Sequence, residues 1–199
     1  MSFSPHTTRY TRGKLPHWEV QDGRYFVTVR CADSLPLNVN ERLQEIHESL
    51  RLVEPRSESF AALQRIYFRT LEKYLDTGAG ECRLRDNRAA QIVVSELTGL
   101  EEWKIKVSHY SIMPNHWHAL IHPSADCIHP LGKIMGRIKG RTARGINLLS
   151  GKTGPLWQRE WFDRWMRTDA EYEKCARYIR NNPVKAGLVS NPDEHPWTK

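Results

Sequence analysis

A chain of 199 residues is long enough for one domain with a sizeable core. Its formal charge of +7 and pI near 9.4 point to a polyanionic partner. No stretch approaches the ~20 apolar residues that span a bilayer, the first twenty residues carry no apolar leader core, and four scattered cysteines lack any Cys-x-x-Cys pair; a membrane partner, a zinc knuckle and a disulfide framework are thereby excluded, and the expectation is a cytoplasmic protein with reduced thiols.

Residues 1–20, rich in Ser, Thr, Pro, Arg and His, read as a flexible basic arm, and 21–199 as a single domain. Tyr25 to Arg30 is β-rich and forms the first strand. Two helices follow, Glu41 to Val53 and Ser59 to Leu75, each with apolar residues at helical spacing. A third runs from about Arg88 to Leu97, with Asp86 or Asn87 as cap.

Trp103 to Ile112 reads as a strand turning through Met113-Pro114-Asn115 into a second, so that the two form an antiparallel hairpin. The second strand carries His116-Trp117-His118. Alternation puts both histidines on one face, about 6.6 Å apart at ~3.3 Å per residue, and turns Trp117, Ala119 and Ile121 into a core. Two imidazoles so spaced can share one divalent ion. His122 has the same parity but lies about 13 Å further along, too far to share it. A further ligand must come from another element. His109 reads as an outer partner or a structural histidine.

Leu131 to Leu149 is an amphipathic helix weakened by four glycines. Lys133, Arg137, Arg141 and Arg144 align on its other face, in a row that suits phosphates as well as solvent. Leu156-Trp157-Gln158 reads as a short strand. From Arg159 to Trp165 arginines alternate with aromatics, a pattern suited to unpaired bases and equally to core packing. The last helix opens with the capping box Thr168-Asp169-Ala170-Glu171 and is expected to end before Pro183. Tyr178 sits roughly 110° from its apolar stripe, with Asn182 one turn later on the same flank.

Taken together, Met113 to Ile121, Leu156-Trp157-Gln158 and Tyr178-Ile179-Arg180-Asn181-Asn182-Pro183-Val184-Lys185-Ala186-Gly187-Leu188-Val189 resemble the REP-associated tyrosine transposases, single-tyrosine members of the HUH nuclease superfamily related to small insertion-sequence transposases. The resemblance covers roughly Tyr25 to Trp197 and weakens between Asn38 and Arg85, where a helical insertion at about 40–80 stands out. It implies an α+β fold with a ferredoxin-like antiparallel sheet and packed helices. It implies Tyr178 as nucleophile and Mg²⁺ or Mn²⁺ on His116, His118 and a polar residue after the tyrosine, Asn182 or Asn181. The implied reaction is nicking and rejoining of single-stranded DNA beside hairpins of repetitive palindromic elements, through a 5′-phosphotyrosine, by a monomer or homodimer without organic cofactor. Lys133, Arg137, Arg141, Arg144 and Arg159 are the expected DNA contacts. A hairpin-binding regulator with little cleavage and a water-using metal nuclease are the alternatives.

Overall fold

The structure, a computed structural model, describes residues 7–12, 16–55 and 57–199. Two short strands, β1 (Thr7–Arg12) and β2 (Pro16–Val20), pair antiparallel as a hairpin. This corrects the flexible arm expected over 1–20, of which residues 1–6 and 13–15 lie outside the described residues. β-Favouring Trp18 and Val20 alternate along β2 and stand opposite Tyr10 and Thr7. Buried His17, stacked on Trp161 with ring centroids 4.2 Å apart and bonded to Asp163, ties the hairpin to the rest.

The main sheet contains β3 (Arg24–Arg30), β4 (Ile105–Ile112), β5 (His116–Pro123) and β6 (Phe162–Met166). Its order is β4-β5-β3-β6 and every pair is antiparallel. Counted along the chain from β3, the four strands lie 2-3-1-4, the ferredoxin-like arrangement expected. The fourth strand is Phe162–Met166; Leu156-Trp157-Gln158, read as a strand, contributes a single bridge between Trp157 and Cys31.

Five α-helices among the described residues pack on the sheet. Before β4 come α1 (Leu37–Leu52), α2 (Glu58–Leu75) and α3 (Asn87–Thr98); α4 (Leu131–Ser150) joins β5 to β6, and α5 (Asp169–Lys185) follows β6. Ser57 caps α2, Asp86 caps α3 and Thr168 caps α5 through side-chain bonds to backbone N–H groups. The glycines of α4 do not break it, because Leu131, Ile134, Met135, Ile138 and Ile146 bury a continuous stripe.

Strand alternation divides the core in two. Tyr25, Val27 and Val29 of β3 and Trp117, Ala119 and Ile121 of β5 meet α3 and α4. Phe26 and Leu120 face the other way and meet Leu71 and Leu75 of α2, Val39 and Leu43 of α1, and Ala176 and Ile179 of α5. Each fully buried Leu, Ile or Phe contributes about 1.5–3 kcal/mol. Helices α1 and α2 thus cover part of the second face.

Helix α5 runs through Pro183 to Lys185, rather than ending at Asn182 as the proline suggested. The missing N–H costs one bond late in the helix, and the helix closes beyond it. Ala186 N bonds Asn182 O, Leu188 N bonds Pro183 O, and Gly187 takes a φ of 68°.

Candidate active site

His116 and His118 lie on the face roofed by α2 and α5, both fully buried. Across the sheet they stand opposite Arg30 and Thr28. Each imidazole is held at Nδ1. That of His116 meets Asn115 Oδ1 at 2.8 Å, and that of His118 meets Thr28 Oγ1 at 2.8 Å. The Asn115 amide nitrogen donates to Ala79 O at 2.9 Å and Leu75 O at 3.4 Å, which leaves its oxygen as the acceptor. His116 therefore donates from Nδ1 and carries a lone pair on Nε2. The two Nε2 atoms converge to 3.1 Å. Burial, then the neighbouring His118 and Lys185, hold the His116 pKa well below the ordinary imidazole value. A neutral ring with Nδ1 anchored and Nε2 open is the form that ligates a metal.

Tyr178 approaches from α5. Its ring stands edge-on to His118 with centroids 5.5 Å apart, and also packs on Phe26 and Phe68. Its hydroxyl accepts a 3.0 Å bond from the Asn182 amide nitrogen. Asn182 is fully buried, and its oxygen has no hydrogen-bond partner among the described residues. Asn181 points outward and donates to Arg177 O at 2.9 Å. The flank read from the sequence is thus the inward one for Tyr178 and Asn182. The Lys185 ammonium lies 5.5 Å from the Tyr178 ring centroid and pairs with Asp76 at 2.7 Å.

One member of the site escaped sequence reading. Glu72 of α2 is buried, and one of its carboxylate oxygens lies 3.5 Å from His118 Nε2. One ligand atom from each of Glu72, His116 and His118 fits within 4.8 Å. Neither oxygen of Glu72 has a hydrogen-bond partner among the described residues. The only trace in the sequence is that Glu72 adjoins Leu71 and precedes Leu75 by three on the apolar stripe. Asn115, read as a turn residue, also serves here: it orients His116 and fastens the end of α2. His109 does not join the group. A register shift between Val107 and His109 sets it opposite Leu120, beside Tyr172.

The expected DNA contacts are placed elsewhere. Helix α4 lies on the opposite face of the sheet from the histidines. Glu96 of α3 binds both Arg137 and Arg141, each at 2.8 Å, and Arg137 also covers Trp103. Lys133 and Arg144 are exposed. Exposed Arg159 accepts a bond from Lys139 at its backbone oxygen. The aromatics around it are mainly structural: Trp157 is buried and its indole N–H donates to Thr142 at 2.9 Å. On the histidine face, a groove of about 290 Å³ opens beside Thr28 and Arg30, with Tyr67 and Phe162 in its wall.

The family model described as transposase, IS200 like, matches residues 87–182, from the start of α3 through Asn182. Just under half of this chain is therefore similar to the IS200-like transposases. The matched segment holds His116, His118, Tyr178 and Asn182, and omits β3, α1 and α2. A solved structure described as a REP-associated tyrosine transposase bound to a REP hairpin shares the fold, with a TM-score of 0.50 and 16% identity; the match covers 96% of this chain and 81% of that one. A Haemophilus influenzae protein described as uncharacterized is 25% identical over 100 residues, a match covering 41% of this chain and 56% of that relative's length. No helix among the described residues is long and apolar enough to cross a membrane.

Proposed function

We propose that this chain acts as a transposase of the kind that its residues 87–182 resemble, and cleaves and rejoins single-stranded DNA at a site built from His116, His118, Asn182 and Tyr178, with Mg²⁺ or Mn²⁺ as its metal. The observation that carries the reading is Tyr178 lodged against His118, its hydroxyl held by Asn182, beside two converging imidazole nitrogens. The donors suit a metal. Two anchored imidazoles bring their Nε2 atoms within 3.1 Å, and the Asn182 oxygen is buried without a partner among the described residues. A bound divalent ion supplies Lewis-acid charge that neutralises a phosphate and favours the phenolate.

The chain's own residues do the rest. A free phenol, with a pKa near ~10, is a poor nucleophile at neutral pH. The Asn182 N–H steadies the Tyr178 oxygen and stabilises developing negative charge on it. Packing against Phe26, Phe68 and His118 fixes the ring direction, so the oxygen has few orientations to lose. Tyr178 Oη gives its proton to solvent and attacks phosphorus in line, the P–O3′ bond breaks, and the 3′-oxygen takes a proton from solvent and leaves as a hydroxyl. The 5′-phosphotyrosine keeps the phosphodiester energy, so a second 3′-hydroxyl reverses the step without ATP. Tyr178 and His118, which it packs against, belong to one chain, which favours action in cis.

An unpaired strand reaches such a site more readily than a duplex. The likeness to a hairpin-bound transposase and the basic charge make a hairpin-bearing single strand from a repetitive palindromic element the substrate of choice. A cytoplasmic location suits that substrate. One observation favours a second reading, a hairpin-binding regulator with little cleavage: His116, His118 and Asn182 are fully buried under α2 and α5. The deciding experiment incubates labelled hairpin-bearing single-stranded DNA with protein and Mn²⁺ and resolves the products on a denaturing gel. A covalent protein–DNA band supports the nuclease reading. Binding without any band supports the regulator, and cut DNA without attached protein would mean that water is the nucleophile.

A further inference from the structure

Glu72 is the least expected side chain in the molecule. A carboxylate belongs at the surface unless something compensates its burial. Here it is 3% exposed, both its oxygens lack hydrogen-bond partners, and it faces the two imidazole nitrogens. A simple ion pair with His118 does not account for this. The 3.5 Å approach is longer than a charge-assisted hydrogen bond, and the His118 nitrogen lies closer to His116, at 3.1 Å. One proton shared between the imidazoles would satisfy a nitrogen but neither carboxylate oxygen.

A cation between the three groups resolves all of these at once. Ligand atoms around one ion lie roughly 3–4.4 Å apart, given metal–ligand distances of ~2.0–2.2 Å. The 3.1 and 3.5 Å separations fall in that range. We propose that Glu72 is a ligand of the divalent ion, so that the α1–α2 insertion completes the metal centre and metal binding latches α2 over the sheet. The proposal rests on the metal reading given above. It adds a donor from outside the residues 87–182 that carry the family match. It also gives the insertion a role. A carboxylate and an amide oxygen beside two imidazoles harden the site and favour Mg²⁺ or Mn²⁺ over softer ions. Because Asn115 fastens the end of α2 to the turn before His116, tightening at Glu72 is transmitted along the last turns of α2.

The test is Mn²⁺ titration of the full chain without DNA, by calorimetry, with hydrogen exchange followed over residues 58–75. Wild type should bind Mn²⁺ and gain protection across α2. Glu72→Gln should bind at least ~10-fold more weakly, since even an outer-sphere partner is worth that much, and should lose the metal-dependent protection. Glu72→Met should do the same; it keeps the volume, removes the charge, and guards against an effect peculiar to the amide. Circular dichroism and metal-free melting establish that both variants fold. Wild-type Mn²⁺ affinity in both Glu72 variants, with loss of binding in His118→Ala, would overturn the assignment of Glu72 and leave the metal reading standing. Undiminished binding in His118→Ala, or no binding by wild type, would overturn both.

Discussion

Below the sheet, α3 and α4 press Ala90, Val93, Ile134 and Ile138 onto Trp117 and Ala119. Above it, α2 and α5 bury Glu72 and Asn182 against His116 and His118. The same two strands supply both surfaces, with residues alternating one by one. The lower face gains hydrophobic stabilisation from nearly every contact. The upper face surrounds its polar cluster with Phe26, Leu71, Leu75 and Ile179 but leaves Glu72 and Asn182 oxygens without partners. Local polar destabilisation of this kind is characteristic of sites shaped for function. The lesson is that stability and chemistry have been assigned to opposite sides of one strand, so substitutions one residue apart should fail in different ways.

The sharpest form of that comparison is Trp117→Ala against Tyr178→Phe. Trp117 is fully buried below the sheet, and its loss should cost about 3–5 kcal/mol in urea unfolding. Tyr178→Phe removes one half-buried hydroxyl and should shift stability by no more than about 1 kcal/mol. Yet the Phe variant should lose all covalent adduct while still binding DNA and Mn²⁺. Appreciable nicking by Tyr178→Phe would break the division between the faces.

A pH titration probes the hairpin that clasps the lower side. Burial alone would lower the pKa of His17, but the bonds and charges of Asp163 and Glu160 outweigh it and raise it to about 9. A folded-state pKa above the unfolded value stabilises fully below about 6.5, and that contribution disappears as pH rises through about 9. Hydrogen exchange in the β1–β2 hairpin should therefore accelerate between pH 7 and 10 by more than the intrinsic chemistry, while β5 follows the intrinsic chemistry alone. His17→Gln should abolish the excess. If the hairpin opens at acid pH instead, the clasp is not an ion pair.

The smallest effect is expected from the row on α4. Four phosphate contacts would lower the slope of log affinity against log salt by about 3. With Arg137 and Arg141 engaged by Glu96, substituting Lys133 and Arg144 with Gln should lower it by at most about 1.4, at ~0.7 per contact on a single strand. Arg137→Gln should act mainly on stability, by leaving Glu96 short of a partner. A slope change near 3 from all four substitutions would mean that DNA displaces Glu96 and crosses the lower face after all.

Much of this was legible from periodicity. Strand alternation placed His116 and His118 together and Trp117 apart, and helical phase placed Tyr178 with Asn182. Elements failed to read where two signals conflicted. In Phe162–Met166 the arginine and tryptophan obscured the alternation of an edge strand, and at Pro183 a local rule yielded to helix packing around Asn182 and Ile179. Glu72 was illegible for a deeper reason. A glutamate in an amphipathic helix reads as solvent-facing, and only the order β4-β5-β3-β6, which lays the insertion across β5, brings it to the histidines. The basic row failed similarly, because its counter-charge, Glu96, lies on another helix.

The central claim is that the upper face makes a covalent bond to DNA through one particular tyrosine. Tyr67, Tyr74 and Tyr172 also line that side of the sheet, so the measurement that decides is peptide mapping by mass spectrometry of the adduct formed on hairpin-bearing single-stranded DNA with Mn²⁺. The expected result is a single peptide carrying a 5′-linked nucleotide on Tyr178, absent when EDTA is added. A nucleotide on another tyrosine, or adduct formed equally in EDTA, would contradict the account.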